Sequence, residues 1–144
     1  MEPETFEKIR FCACANLRRT TRQVTQIYDD ALQETGLRSG QFALLATLAI
    51  IGPSSMTELA EALGMDRTTL TRNLQALRRD RLVEDQANRD GRRRQVGLTE
   101  LGSAMLNTAL PYWEQAQARI VTALGSDQFE GLLGTLKALR RGIR

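Results

Sequence analysis

Residues 55–99 carry the sequence SMTELAEALGMDRTTLTRNLQALRRDRLVEDQANRDGRRRQVGLT, and this stretch decides the fold. Its pattern predicts a helix, a tight turn, a second helix, a strand, an arginine-rich hairpin and a returning strand. That order of elements is a winged helix-turn-helix. The predicted fold class is therefore mainly α (α+β).

Two capping signals define the helices of this stretch. Ser55 is followed by Glu58 in a capping box that starts a helix over residues 56–63. Gly64 supplies the turn, and Asp66 caps a second helix over residues 67–80.

The second helix has one apolar stripe and one polar face. At about 100° per residue, Leu70, Leu74 and Leu77 share a narrow stripe that packs inward. Hydroxyl, guanidinium and amide groups occupy the rest of the surface, and these groups can bind phosphates and base edges. The predicted DNA contacts here are Arg67, Thr68, Thr69, Thr71, Arg72, Gln75 and Arg79.

A hairpin with a basic tip follows the second helix. Short strands are predicted over residues 82–85 and 95–98, and Asp90-Gly91 is a strong turn signal between them. Arginines at such a tip can enter a flanking minor groove. The candidates in this wing are Asp90, Arg92, Arg93 and Arg94.

Positive charge is concentrated in the same region. The whole chain of 144 residues has a formal charge of +3. Residues 67–94 contain nine arginines and four acidic residues, a net charge of +5. These arginines could form an ordinary solvent-exposed surface. The capped helix-turn-helix in the same region favours a phosphate-binding face instead.

Long helices are predicted on both sides of this region. Residues 4–34 form one amphipathic helix that Gly36 ends, and its length favours a role in a dimer interface. Ser39 caps a buried helix over residues 40–50, whose apolar residues include Phe42, Leu48 and Ile50.

The C-terminal third is also predicted to be helical. Thr99 caps a helix that extends to about residue 124, and Pro111 within it is expected to bend or divide the helix. A final helix begins after residues 126–127 and has a basic end.

Several classes of protein are excluded or disfavoured by composition. The chain has no histidine, so it lacks the usual general base and the commonest transition-metal ligand. No phosphate loop or paired-carboxylate site is evident, which predicts a non-enzyme with no cofactor and no metal. The absence of a signal-peptide pattern and of a long apolar run predicts a cytoplasmic protein without membrane association.

Family-specific motifs accompany this pattern. The pairs Leu59-Ala60 and Leu63-Gly64, the run Thr69-Leu70-Thr71-Arg72, and the wing motif Asp90-Gly91-Arg92 with Leu98-Thr99 resemble the MarR family of bacterial transcriptional regulators. The resemblance implies that Thr69, Thr71 and Arg72 lie at recognition-helix positions. It also implies that Arg92 enters the minor groove and that Asp90 helps to hold the wing in shape.

The same resemblance implies an assembly and a division of the chain. Residues 1–36 and 100–144 would form a helical dimerisation region, and residues 37–99 the DNA-binding region. The implied protein is a homodimeric repressor that binds a pseudo-palindromic operator in double-stranded DNA and is released by a small ligand or by oxidation.

Cys12 and Cys14 are the candidates for sensing an oxidant. Residues two apart in a helix point about 200° away from each other, which disfavours a disulfide between them. Cys14 has arginines one turn away on both sides, so it is the more reactive candidate. The peroxide-sensing branch of the family also uses tyrosines that residues 39–42 lack, and both cysteines can instead be small apolar residues beside an interface.

A small aromatic or anionic effector is the competing hypothesis. An aromatic carboxylate could pair with an arginine between the long helices and the winged region. The candidate ligand residues are Arg19, Arg22, Tyr28, Phe42, Tyr112 and Trp113, which can equally be ordinary surface and core residues.

A different class of function also fits a winged helix. Such a module can serve protein–protein contact without a DNA site of its own. That function predicts apolar residues on the exposed face of the second helix, whereas this face is polar and basic.

Overall fold

The structure is a computed structural model that describes residues 3–144. Within this range it contains seven α-helices and one antiparallel two-stranded sheet, which confirms the predicted fold class. The elements are α1 (Pro3–Ile9), α2 (Ala13–Leu32), α3 (Ser39–Ile51), α4 (Met56–Leu63), α5 (Arg67–Arg79), β1 (Val83–Ala87), β2 (Arg94–Leu98), α6 (Glu100–Leu124) and α7 (Ser126–Gly142).

The chain divides into two compact units, and the unit formed by Leu32–Tyr112 contains the winged helix-turn-helix. Helix α3 lies at its centre and contacts α4, α5 and β2. Leucines dominate the core because both the α5 stripe and α3 turn them inward. The buried apolar residues of this unit include Leu37, Phe42, Leu44, Leu45, Leu48, Leu59, Leu70, Leu74, Leu77, Leu82, Val83 and Val96.

Two predictions about α3 are wrong in detail. Ile50 is 83% exposed, because it lies in the last turn of the helix, just before the chain turns away at Gly52. Ser39 is the first helical residue rather than the cap, which is Arg38. The backbone N–H of Arg38 donates to the side-chain oxygen of Gln41 at 3.1 Å, which is half of a capping box.

The second unit consists of the chain up to Ala31 together with Trp113–Arg144. The predicted single helix over residues 4–34 is wrong, since α1 ends at Ile9 and α2 begins at Ala13. The side-chain amide of Asn16 donates to the carbonyls of Arg10 (3.0 Å) and Cys12 (2.9 Å), and these bonds stabilise the break. After α2, a short 3-10 turn ends at Gly36, which is left-handed as its predicted capping role requires.

A tight junction joins α5 to the wing. The N–H of Leu82 donates to the carbonyl of Leu77 at 2.9 Å, and that of Arg81 donates to Arg78 at 3.0 Å. This is the Schellman pattern, whose left-handed position is usually glycine. Arg81 occupies it here with φ of 60°, a conformation that costs an L residue about 1–2 kcal/mol.

The first turn of α6 packs against this junction. Thr99 caps the helix as predicted, because its hydroxyl accepts from the N–H of Gly102 at 2.9 Å and donates to the carbonyl of Arg81 at 2.7 Å. The backbone of Gly102 lies so close to Leu82 that a Cβ atom would be 2.0 Å from its carbonyl oxygen. Pro111 lies inside α6 and does not divide it.

Candidate nucleic-acid interface

The helix-turn-helix is built from local hydrogen bonds. The N–H of Glu58 donates to the hydroxyl of Ser55 at 3.2 Å, and the carboxylate of Glu58 accepts from the N–H of Ser55 at 3.4 Å. Gly64 ends α4 with φ of 63°, which a residue with a Cβ atom adopts only at a cost. The predicted capping box and turn are therefore confirmed, and they fix where α5 begins.

Asp66 caps the N-terminus of α5 with both carboxylate oxygens. Oδ1 accepts from the N–H of Thr69 at 2.8 Å, and Oδ2 accepts from the hydroxyl of Thr69 at 2.9 Å. The hydrogen bond from the Thr69 backbone, followed by that from its hydroxyl, lowers the pKa of Asp66 below the usual 3.8. The Thr69 hydroxyl is therefore engaged in the cap.

We expect this cap to make stability depend on pH in acid. Because the folded pKa of Asp66 is lowered, its contribution is fully present above the unfolded value of 3.8 and is lost as the pH falls through the folded value. Asp66→Asn keeps the acceptor without the charge. Urea unfolding should find wild type more stable than this variant at neutral pH, with the gap closing below pH 3.8; a gap independent of pH would contradict the assignment.

Helix α5 presents a polar face opposite its buried leucine stripe. The side chains of Thr68, Arg72, Gln75 and Arg79 are exposed, and Thr69 is half-buried. The Thr71 hydroxyl donates to the carbonyl of Arg67 at 2.8 Å. One shallow surface depression along this face is lined by Arg67, Thr68, Thr71, Arg72 and Gln75.

The wing is a hairpin with a basic tip. Strands β1 and β2 pair from Val83 with Leu98 to Ala87 with Arg94. At the tip, Gly91 is left-handed with φ of 68°, and all three arginines of the run 92–94 are exposed. A second depression is lined by Asp85, Gln86, Ala87, Gly91, Arg92, Arg93 and Arg94.

Arg78 and Asn88 support this face, and neither is among the residues predicted from the sequence. Arg78 Nη2 donates to Asp85 Oδ1 at 2.9 Å, which joins α5 to β1 by a half-exposed ion pair. Asn88 accepts backbone hydrogen bonds across the tip of the wing. Neither was detectable as a functional position, because both interactions depend on the folded hairpin.

The proposed ligand residues are divided between the two units. In the unit with Trp113, Arg19 and Arg22 are exposed, and the half-buried Tyr28 donates to the side-chain oxygen of Gln117. Burial raises the pKa of Tyr28 above 10.0.

In the winged unit, Phe42 is a core residue and Tyr112 donates to Glu34 Oε2 at 3.0 Å. This hydrogen bond, followed by the negative charge of Glu34, raises the pKa of Tyr112. The two tyrosines thus have partners within their own units.

The cysteines lie at the break between α1 and α2. Cys12 precedes α2, Cys14 lies in its first turn, and both are exposed free thiols. Because Cys12 lies outside α2, the 200° separation predicted for one continuous helix through both cysteines is wrong. Within residues 3–144 there is no group of three His, Cys, Asp or Glu side chains placed to hold a metal ion.

None of the helices within residues 3–144 combines the length and the apolar character that a membrane-crossing segment requires.

Comparison with known proteins points to one family. A model of the MarR family matches residues 35–94. The chain is 40% identical to the M. tuberculosis transcriptional regulator MosR in complex with DNA, covering 92% of this chain and 98% of that one with a TM-score of 0.78.

Two more distant relatives are transcriptional repressors by name. The HTH-type transcriptional repressor NicR of Pseudomonas putida is 29% identical over 124 residues, which are 85% of this chain and 78% of that protein. The repressor CouR, solved bound to a 23-mer DNA duplex, is 24% identical with a TM-score of 0.81, and covers 92% and 95% of the two chains. The latter similarity supports the fold.

Proposed function

This chain belongs to the MarR family of transcriptional regulators, and we propose that it is a repressor that binds a pseudo-palindromic operator in double-stranded DNA as a homodimer. The observation that carries the proposal is the polar, basic face of α5 beside an arginine-tipped wing. A relative with 40% identity was solved in complex with DNA.

Helix α5 has the chemistry for reading bases in a major groove. Arg72 can bind guanine in a bidentate manner, and Gln75 can pair with adenine. Arg67 and Thr68 lie in the first turn, where the guanidinium and the hydroxyl can bind a phosphate. Thr69 has the smaller role in this proposal, because its hydroxyl already serves the cap.

Exposed apolar side chains support a dimer formed by residues 1–36 and 100–144. A monomer rarely leaves this many large apolar groups in water. Two copies related by twofold symmetry would present two recognition helices, which requires a pseudo-palindromic operator. The exposed residues are Phe6, Ile9, Phe11, Leu17, Leu101, Leu110, Leu124, Leu132, Leu133, Leu139 and Ile143.

A mobility-shift titration over several salt concentrations tests the DNA-binding proposal. We expect the protein to bind DNA from upstream of its own coding region, with an affinity that falls steeply with salt. Arg92→Ala should weaken binding and make the slope of log K against log salt shallower by about 1 per wing that loses a phosphate contact.

Arg141→Ala is the matched control for that titration. It removes the same charge from an exposed position in α7, outside the proposed DNA-contacting surface, so the slope should not change; size-exclusion chromatography checks that this variant assembles like wild type. Equal slopes for wild type and Arg92→Ala would mean that the wing does not contact DNA. Failure of wild type to bind any genomic fragment at low salt would favour a protein-contact module instead.

Control of binding is proposed to come from oxidation or from a small aromatic or anionic effector. Cys12 and Cys14 are exposed free thiols in the single protomer, where an oxidant can reach them, and this supports the first route. We expect peroxide to release wild-type protein from DNA and to leave Cys14→Ser bound. Cys12→Ser is the companion variant, and mass spectrometry identifies the oxidised residue.

The outcomes of the peroxide experiment separate the two routes. Release of wild type alone supports oxidation at Cys14. If peroxide releases neither protein, oxidation is excluded, and the effector hypothesis with Arg19, Arg22 and Tyr28 takes its place. Titration with benzoate then provides the corresponding test.

A further inference from the structure

The tip of the wing concentrates positive charge in a short loop. Residues 88–94 contain four arginines and one acidic residue, Asp90. Like charges at this spacing repel one another and favour an open, mobile loop. An ordered tip therefore requires a specific interaction that offsets this repulsion.

Asn88 supplies that interaction through both its backbone and its side chain. Its Oδ1 accepts from the N–H of Arg92 at 3.1 Å and from the N–H of Arg93 at 3.3 Å. Its backbone N–H donates to the carbonyl of Arg93 at 2.9 Å, and its carbonyl accepts from Gly91 at 2.9 Å. Four hydrogen bonds thus converge on one half-buried residue.

The neutrality of the acceptor matters as much as its position. A carboxylate at residue 88 could accept the same two bonds, but it would cancel one positive charge beside the arginines. An alanine would preserve the charge but leave two backbone N–H groups without this partner. Asn88 satisfies the backbone and leaves the positive field of the tip intact.

We propose that Asn88 is the positioning residue of the wing, which holds Arg92 and Arg93 in the arrangement that meets the DNA backbone. This inference rests on the proposed DNA-binding function. It assigns to Asn88 the shaping role that the family resemblance gives to Asp90.

Amide hydrogen exchange of the free protein tests the positioning itself. In Asn88→Ala, the N–H groups of Arg92 and Arg93 should exchange about tenfold faster or more, because they lose their acceptor. Asn88→Asp retains an acceptor and should restore protection. Unchanged exchange in Asn88→Ala, or no restoration in Asn88→Asp, would overturn the proposal.

Measurements of DNA affinity then separate the effect of loop order from the effect of the charge at the wing tip. Asn88→Ala should lose about tenfold in affinity, since the loop must be ordered on binding. Its salt slope should stay close to that of wild type. Asn88→Asp should keep the order of the loop but have a salt slope shallower by up to about 1.

Amide exchange and DNA binding together distinguish a failure of the Asn88 proposal from a failure of the proposed DNA-binding function. If wild type fails to bind DNA, the DNA-binding function is wrong, whereas the exchange arm still reports on Asn88. If wild type binds and Asn88→Ala binds equally well despite fast exchange, the positioning role is wrong. Asp90→Ala, measured in parallel, should leave the Arg92 and Arg93 amides protected, and their exposure in this variant would return the role to Asp90.

Discussion

Gly102→Ala is expected to lower the free energy of unfolding by about 3 kcal/mol or more, at the upper end of overpacking effects. The added methyl group would lie 2.0 Å from the carbonyl oxygen of Leu82 and 2.9 Å from its carbonyl carbon. Both atoms belong to the backbone, so no side chain can rotate away. Relief requires the first turn of α6 to move from the end of α5 and to break the bonds of Thr99.

Gly131→Ala is the matched control. Gly131 also lies inside a helix, α7, but a Cβ atom there would have no neighbour within 4 Å. Alanine should therefore stabilise the protein by up to about 1 kcal/mol through helix propensity. Urea unfolding followed by circular dichroism measures both variants, and equal stability of Gly102→Ala and wild type would contradict the packing described for α6.

Arg72→Ala is expected to reduce specific DNA affinity by about 1–3 kcal/mol, if its guanidinium reads a base as proposed. Arg72 is exposed in the middle of α5, and the depression that it lines contains no acidic side chain to compete for it. Loss of a bidentate contact should also relax the preference for one base at one operator position.

Competition between operator and random DNA decides the role of Arg72. A loss confined to the operator supports base reading. Equal weakening on both sequences would make Arg72 a phosphate contact, since phosphate contacts carry no sequence information. Arg72→Lys keeps the charge but not the forked geometry, so the base preference should stay relaxed in this variant if Arg72 reads a base.

The sequence predicted best those features that short-range interactions determine. The caps at Ser55 and Asp66, the turn at Gly64 and the buried leucines of α5 each depend on residues within one or two turns. The break before Ala13 was missed because no Pro or Gly marks it, and the bonds from Asn16 compete with a continuous helix only in the folded backbone.

Contacts that form only in the folded tertiary structure were harder to predict from the sequence. Ile50 fits an apolar helix, but its burial depends on where α3 extends beyond its neighbours. The importance of Asn88 appears only when the hairpin brings Arg92 and Arg93 to its side chain. Residue type alone makes Tyr28 and Tyr112 ligand candidates, but it does not identify their hydrogen-bond partners Gln117 and Glu34.

At Arg81 the left-handed backbone conformation favours glycine, whereas the positive charge requires a side chain. Glycine would adopt φ of 60° without a steric penalty, so the backbone favours the loss of the side chain. Arginine at this position places one more cation between α5 and the wing, at a cost of about 1–2 kcal/mol of conformational free energy.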